Sequence, residues 1–466
     1  MTLAVRSAEI VACCGRSSDQ HVLRAGSSCS IACTQYRILR PMEQQQPADR
    51  EPQPVNGGAG TRVWRNFCLL LAGNLVSVLG SSVYLIVIVL YLKDETGSAA
   101  MLGLYNFMAL LPPVVLGPFA GALVDRWSRR NVLVVSDAVR GALMLLLAGF
   151  ALLPSGIQLA HILVITAVAG VAHAFFLPAV QTIVPEIVPA SRLKRAHSLR
   201  AGGSQISNVC GNALGGVVYV AFGLVPVLIA NGVSFLLSAV QESWIRYPHA
   251  AAVLRSNAGR DRGRVVAETA AGLRYITRRR GLRAMLVANS AVFLLSPPLL
   301  LVLPFVVEDV LQLPTAWVGF YFAAMLVGGI MAYTVWAVVP LGGRGDRRVL
   351  VGSFFCLSTA VLVSGLWLEP AVLLATFFVC GAAIASVNLV IVTSVQRLVP
   401  HNRRARVFSL IESAGALSAP FAYAFSGLLI DLLLQDIALI FFISAAVVLT
   451  IAVIMLRSTG LRRLLD

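Results

Sequence analysis

Residues 117–141 read GPFAGALVDRWSRRNVLVVSDAVRG. An apolar run ends there in small residues. A tight charged knot follows (Asp125, Arg126, Arg129, Arg130), and a second apolar run starts at once, carrying Asp137 and Arg140. Both flanks are too long and too apolar for the hairpin of a soluble domain, since about 20 consecutive apolar residues cross a hydrocarbon core. The stretch reads as a membrane hairpin whose basic turn faces the cytoplasm.

Composition extends that reading to the whole chain. Of 466 residues, 58% are hydrophobic and only 12% charged, and the mean hydropathy is +0.82. Soluble domains carry about 25% charged residues, so this is a polytopic membrane protein. A net charge of +16 would point to nucleic acid if the basic residues formed a surface patch. They lie instead in short clusters between apolar runs, which sets topology, and no nucleic-acid partner is expected. Of the eight cysteines, Cys13, Cys14, Cys29 and Cys33 crowd the first segment, while Cys68, Cys210, Cys356 and Cys380 stand singly. No pair has metal-site spacing with histidine partners, so buried small hydrophobes are expected and no metal site. There is no phosphate-cradling loop of the form G-x4-G-K-[ST] and no catalytic constellation. Neither an enzyme nor a cofactor is expected.

Outward from the hairpin, about twelve apolar segments follow Phe67, approximately 67–92, 100–124, 131–153, 159–184, 198–221, 223–245, 283–307, 315–339, 348–368, 370–396, 407–431 and 436–456. The loops between them alternate in charge. One set holds Arg126, Arg129 and Arg130, then Arg192, Lys194, Arg195 and Arg200, then the arginine-rich stretch from Arg246 to Arg283. It continues with Arg344, Arg347 and Arg348, then Arg397, Arg403, Arg404 and Arg406, and the tail with Arg457, Arg462 and Arg463. The other set has Lys93 as its one basic residue beside Asp94, Glu95, Glu308, Asp309, Glu369, Asp431 and Asp436. The positive-inside rule then places both termini and the long central loop in the cytoplasm of a bacterial cell.

Five regions follow: a disordered polar tail at 1–65, a six-helix bundle at 66–246, a cytoplasmic loop at 247–281, a second six-helix bundle at 282–456 and a tail at 457–466. From Pro41 onward the first tail is rich in Gln, Pro, Asp, Glu and Gly, and Met42, just ahead of it, is expected to be the true start. In the central loop Val266, Thr269, Leu273 and Ile276 repeat at helical spacing among arginines, as in an amphipathic helix on the inner membrane face. A solvated linker fits equally well. The halves echo each other: VPASRLKRAHSL (188–199) and VPHNRRARVFSL (399–410) share the frame V-P-x-x-R-x-x-R-x-x-S-L, each just before an odd-numbered span. Such duplication implies a binding cavity at the interface of two related halves.

Duplicated six-span halves with a D-R-x-x-R-R turn between spans 2 and 3 resemble the major facilitator superfamily. Its G-x-L-x-D-R-x-G-R-[RK] pattern is met by Gly121, Leu123, Asp125, Arg126, Arg129 and Arg130, with Ser128 in place of the family's glycine. The following SDAVRG and the two V-P-x-x-R segments resemble the branch of enterobactin-type exporters and macrolide efflux permeases. The resemblance implies an all-α integral membrane fold of about twelve helices in two pseudo-symmetric bundles. It also implies that Asp125 latches onto the start of span 11, near Phe408 to Glu412, as a gate. Exporters of the superfamily often carry G-x8-G-P-x-x-G-G in span 5, and Gly202, Gly211, Gly215 and Gly216 keep that register with Asn212 at the proline position. Ordinary small-residue packing is the plainer explanation of those glycines.

Charges inside a bilayer cost about 2.5–3.5 kcal/mol each on insertion scales. Asp137 and Arg140 share one face of span 3 and read as an internal ion pair or, more sharply, as the proton-coupling site. Glu412, expected near the N-terminus of span 11, and His173 are further coupling candidates. Polar stripes on apolar helices supply cavity candidates: Asn74, Ser77, Ser81 and Tyr84 in span 1, Thr166, His173 and Gln181 in span 4, and Gln205, Asn208 and Asn212 in span 5. Asn289 and Ser296 in span 7 and Asn388 and Thr393 in span 10 are the second-half equivalents. Interhelical hydrogen bonding explains such stripes as readily as ligand contact. The expected protein is a monomeric secondary exporter of hydrophobic or amphipathic small molecules in the lipid bilayer, driven by the proton gradient. An importer or lipid flippase, or a non-transporting membrane sensor, remains an alternative.

Overall fold

A computed structural model describes residues 57–124, 127–189, 192–245, 273–339, 344–433 and 436–458. The N-terminal tail, Met42 and most of the central loop lie outside them. Twelve long helices fill the described residues: α1 (Gly57–Thr96), α2 (Ala99–Val124), α3 (Arg129–Ala151), α4 (Leu159–Ile187), α5 (Leu193–Phe222) and α6 (Leu224–Ser243) in the first half, then α7 (Arg280–Phe305), α8 (Trp317–Val338), α9 (Arg344–Leu366), α10 (Pro370–Leu398), α11 (His401–Leu433) and α12 (Ile437–Arg457) in the second. The helix α1 begins ahead of the boundary expected at residue 66.

Eleven of the twelve are long and apolar enough to cross a membrane. The exception, α5, has a middle diluted by Gly202, Gly203, Ser204, Gln205, Ser207, Asn208 and Asn212. The break between α5 and α6 is Gly223 alone, at φ 71°. That left-handed conformation costs glycine little and lets the chain reverse without a loop. Helix α10 opens with Pro370 at its first turn, where the missing N–H has no intrahelical partner to lose. Pro112–Pro113 and Pro297–Pro298 lie inside α2 and α7, both continuous helices, and α7 runs past Pro304 into a π-turn at Val306–Val310.

The packing repeats at an offset of six helices. In the first half α2 packs on α4, α3 on α4 and α3 on α6; in the second α8 packs on α10, α9 on α10 and α9 on α12. Contacts between the halves obey the same relation, α2 with α11 and α8 with α5. Residues Thr61–Asp466 form one body. A core of Phe67, Leu70, Leu133, Val180 and Ile183 belongs to the first half, while a larger core runs through both. Large exposed hydrophobics such as Phe119, Val338 and Leu432 lie on the outer surfaces that a membrane would cover.

The halves are tied together at the end that carries the acidic loops. Lys93, almost buried at the end of α1, donates to Glu308 and to Asp309 at 3.0 Å, both in the π-turn after α7. Thr315 donates to the other oxygen of Glu308 at 2.5 Å. At the end of α11, Asp431 accepts from the Ala99 N–H at 2.6 Å, the Ala100 N–H at 3.1 Å and the Ser98 hydroxyl at 2.6 Å. The first N–H groups of a helix have no partners of their own, so a carboxylate from one half caps a helix of the other. Nearby, Gly103 lies so close to Tyr423 that a Cβ there would stand 2.5 Å from its carbonyl oxygen.

Asp431→Ala should therefore speed hydrogen–deuterium exchange of a peptide spanning 98–104 by about fivefold, the loss of about 1 kcal/mol of capping. Asp436→Ala, which removes only the cap of Leu439 at the start of α12, should leave that peptide unchanged.

Candidate functional site

A cavity of about 230 Å³ opens among α1, α3, α4, α5 and α6, in the half of the bundle nearer the basic loops. From α1 it takes Asn74, Ser77, Val78 and Ser81, a stripe at spacings of three and four that a helix presents on one side. From α4 it takes His173, Phe176, Leu177 and Val180, from α5 Arg200, Ser204 and Asn208, and from α3 and α6 Arg140 and Phe235. The polar side chains are partly pre-ordered by one another. Ser204 donates to Asn74 Oδ1 at 3.3 Å, Ser82 donates to Asn208 Oδ1 at 2.7 Å, and Ser81 donates to the Ser77 carbonyl at 2.7 Å.

Arg140 is the hinge of the site. Its guanidinium lies between the rings of Phe176 and Phe235, at 4.3 and 4.5 Å from their centroids, an arrangement favoured by the negative faces of aromatic rings. It donates to Asp137, which sits behind the cavity wall with no exposed surface, and its other terminal nitrogen lies 3.5 Å from His173 Nδ1. Asp137 Oδ2 and Arg140 Nε have no hydrogen-bond partner among the described residues. Glu242, on α6, is 1% exposed with neither carboxylate oxygen partnered among the described residues, and it lies within electrostatic reach of Asp137 and Arg140 on the neighbouring α3.

Of the residues singled out in the sequence, the structure brings Asn74, Ser77, Ser81, Asn208, Arg140 and His173 to one cavity, with Asp137 behind it. Gln181 and Gln205 are exposed on α4 and α5 outside the lining, as is Asn388 on α10. Asn289 is no cavity residue: buried, it donates to the Ile411 carbonyl at 3.0 Å and ties α7 to α11. Ser296 and Thr393 bond back to their own helices. The second half carries an apolar crevice of about 20 Å³ lined by Val292, Ser296, Leu300 and Phe377 among others. Of the polar stripe residues expected there, Asn289, Ser296 and Thr393 are spent on hydrogen bonds to backbone carbonyls, while Asn388 stays exposed. Glu412 lies eleven residues into α11, because that helix starts at His401, so it is too far in for the expected dipole interaction, which fades within the first turn. Asp125 and Arg126 lie outside the described residues, while Arg129 and Arg130 open α3.

The glycines of α5 divide. A Cβ on Gly211 or Gly215 would stand 2.5 Å from Ser82 Cβ or Ile86 Cβ of α1, and one on Gly216 would stand 3.0 Å from the Thr315 carbonyl oxygen of the other half. These positions permit backbone approach, as small residues do between membrane helices. Gly202 differs: nothing lies within 4 Å of its Cβ position, and the close packing falls to Gly203 against Leu75. Gly121 is likewise open.

The sequence reading missed Glu242, and it assigned Arg200 to a loop. Arg200, Ser204 and Asn208 follow one another at intervals of four and extend the α5 stripe, a signal hidden once Arg200 was counted as a topology charge. Gly215→Val should lower the unfolding midpoint of the purified protein through overpacking of about 1–3 kcal/mol, whereas Gly202→Ala should raise it slightly through helix propensity of up to about 1 kcal/mol.

Comparison with known proteins agrees with this architecture. Residues 70–344 match the family description "Major Facilitator Superfamily". Macrolide efflux protein A of Streptococcus pyogenes is 23% identical over 382 residues, covering 79% of this chain and 90% of its own. The multidrug efflux pump Tap of Mycobacterium tuberculosis is 26% identical over 384 residues, covering 78% and 86%. Among solved structures, the nucleoside transporter NupG superposes with a TM-score of 0.64 at 12% identity, covering 84% of this chain and 98% of its own. A bacterial homologue of the iron transporter ferroportin in an inward-facing state gives 0.63 at 18%, covering 84% and 98%. The chain belongs to the Major Facilitator Superfamily of membrane transporters.

Proposed function

We propose that this transporter is a secondary exporter of hydrophobic or amphipathic small molecules in the bacterial inner membrane, running by proton antiport with alternating access. The observation that carries the reading is the pair of Asp137, buried behind a cavity large enough for part of a small molecule, and Arg140 in its wall, with Glu242 nearby, unpartnered among the described residues. A proton arriving on this cluster changes the charge of the cavity wall, which is what coupling between proton and cargo requires. Efflux homologues support the outward direction.

Orientation follows from charge. With the arginine-rich loops and both termini in the cytoplasm, the end tied by Lys93 and Asp431 faces outward, and the cavity lies in the cytoplasmic half. That is the loading state of an exporter. Opening outward then means breaking the Lys93 and Asp431 contacts while the basic end closes, by rocking of one half against the other. Asp125 and the start of α11 are the latch for that second closure. One proton entering through 100 mV supplies about 2.3 kcal/mol, enough for a concentration ratio of about fiftyfold. The protein acts as a monomer and without a cofactor, its work being movement rather than bond chemistry.

Expressed in an efflux-deficient host, the wild type should lower accumulation of amphipathic fluorophores from a panel that spans anionic, uncharged and cationic members, and raise resistance to the toxic ones it expels. Asp137→Asn, compared at equal folded protein, should lose at least 90% of that effect, and Asp125→Asn should slow it about tenfold. Collapse of the proton gradient should abolish the difference between wild type and empty host. Efflux that persists after collapse sinks the antiport; unaltered accumulation by the wild type sinks the export of these compounds.

A further inference from the structure

The cavity carries a charge that its own walls do not answer. Two guanidinium groups line it, and none of its described lining residues is acidic. Arg140 is matched by Asp137 behind the wall. Arg200 has no such acidic partner among the described residues: it is half-buried, seven residues into α5, and its Nε is buried there without a hydrogen-bond partner. A half-buried guanidinium with no acidic partner attracts an anion more strongly than one in open water, because the lower local dielectric strengthens the interaction. The rest of the lining has two characters. Phe176, Phe235 and Leu177 form an apolar face, while Asn74 and Asn208 offer amides.

Resting on the reading of this cavity as the cargo site, we propose that the cargo is an amphipathic organic anion, with a carboxylate or similar acidic group held at Arg200 and an apolar body laid along Phe176 and Phe235. A planar guanidinium suits such a group because it offers paired donors in a fixed fork. A cationic drug would meet Arg200 and Arg140 as like charges in a low-dielectric cavity, which costs affinity rather than supplying it. An anion also leaves a cell of negative interior down its own electrical gradient, so the same chemistry that binds it helps to expel it.

Three dansyl probes of similar size separate charge from shape: dansylglycine, an anion; its neutral amide; and dansylethylenediamine, a cation. Fluorescence titration of the full chain in lipid nanodiscs should rank them in that order, with dansylglycine at least tenfold tighter than the amide. Arg200→Gln should bring that ratio to about one, and Arg200→Lys should restore part of it, a rescue that a purely structural role would not give. The wild-type order decides the matter even if the glutamine variant does not fold. Tightest binding of the cation, equal affinities, no binding of any probe, or an anion preference that survives Arg200→Gln would overturn the proposal. A cation-first order leaves the exporter reading intact, whereas wild-type accumulation equal to that of the empty host defeats that reading without touching the order of binding.

Discussion

A charge buried in a membrane protein is costly unless it is paired, and ion pairs within and between helices mark the points that organise this transporter. Lipid tails are as apolar as leucine, so helix association here draws on close packing and polar pairing rather than on release of water from hydrophobic surface. Arg140 meets the requirement with Asp137 and two aromatic faces, Lys93 with Glu308 and Asp309, and Asp346 with Arg397 at 3.0 Å. Each pairing joins helices or fixes a helix face, so the positions of the buried charges and the arrangement of the bundle are one problem with one solution.

The two ends of the molecule solve it differently. At the acidic end the partners come from opposite halves, and the contacts are few, polar and partly exposed. Asp309 is 55% exposed on its side chain, and Asp431 acts on backbone N–H groups that water would also satisfy. Such contacts hold a closed end without locking it. In the first half, by contrast, Asp137 is fully buried and Arg140 nearly so at the cavity wall, where a lost partner leaves an uncompensated charge worth about 3–5 kcal/mol. The first set joins the two halves through partly exposed contacts, and the second is confined to one half.

The duplication is sharper in packing than in chemistry. Helix contacts repeat at an offset of six, yet the polar cavity belongs to the first half and its counterpart is a narrow apolar crevice. Asn289 shows how this came about. Its residue type and register match a cavity position, but its amide spans to the Ile411 carbonyl where α11 comes close at Gly415, whose Cβ position stands 2.7 Å from the Asn289 amide nitrogen. Proximity of the neighbouring helix turned a ligand-type side chain into a tie.

Hydropathy and loop charge by themselves determined the number of helices, their approximate ends and the basic and acidic faces, because both signals are local and the bilayer imposes a fixed length on each span. The D-R-x-x-R-R turn was enough to place the fold in its family. The α1 stripe of Asn74, Ser77 and Ser81 was legible for the same reason, since helical periodicity alone puts those residues on one face. Only the tertiary structure decided which stripes line a cavity and which are consumed by packing, that Arg200 belongs to the cavity wall, that Glu242 joins Asp137, and that Lys93 and Asp431 reach across the halves. These facts depend on contacts between residues 100 to more than 300 positions apart in the chain, as between Ser98 and Asp431. No local pattern encodes such a pairing; it exists only once two helices have met.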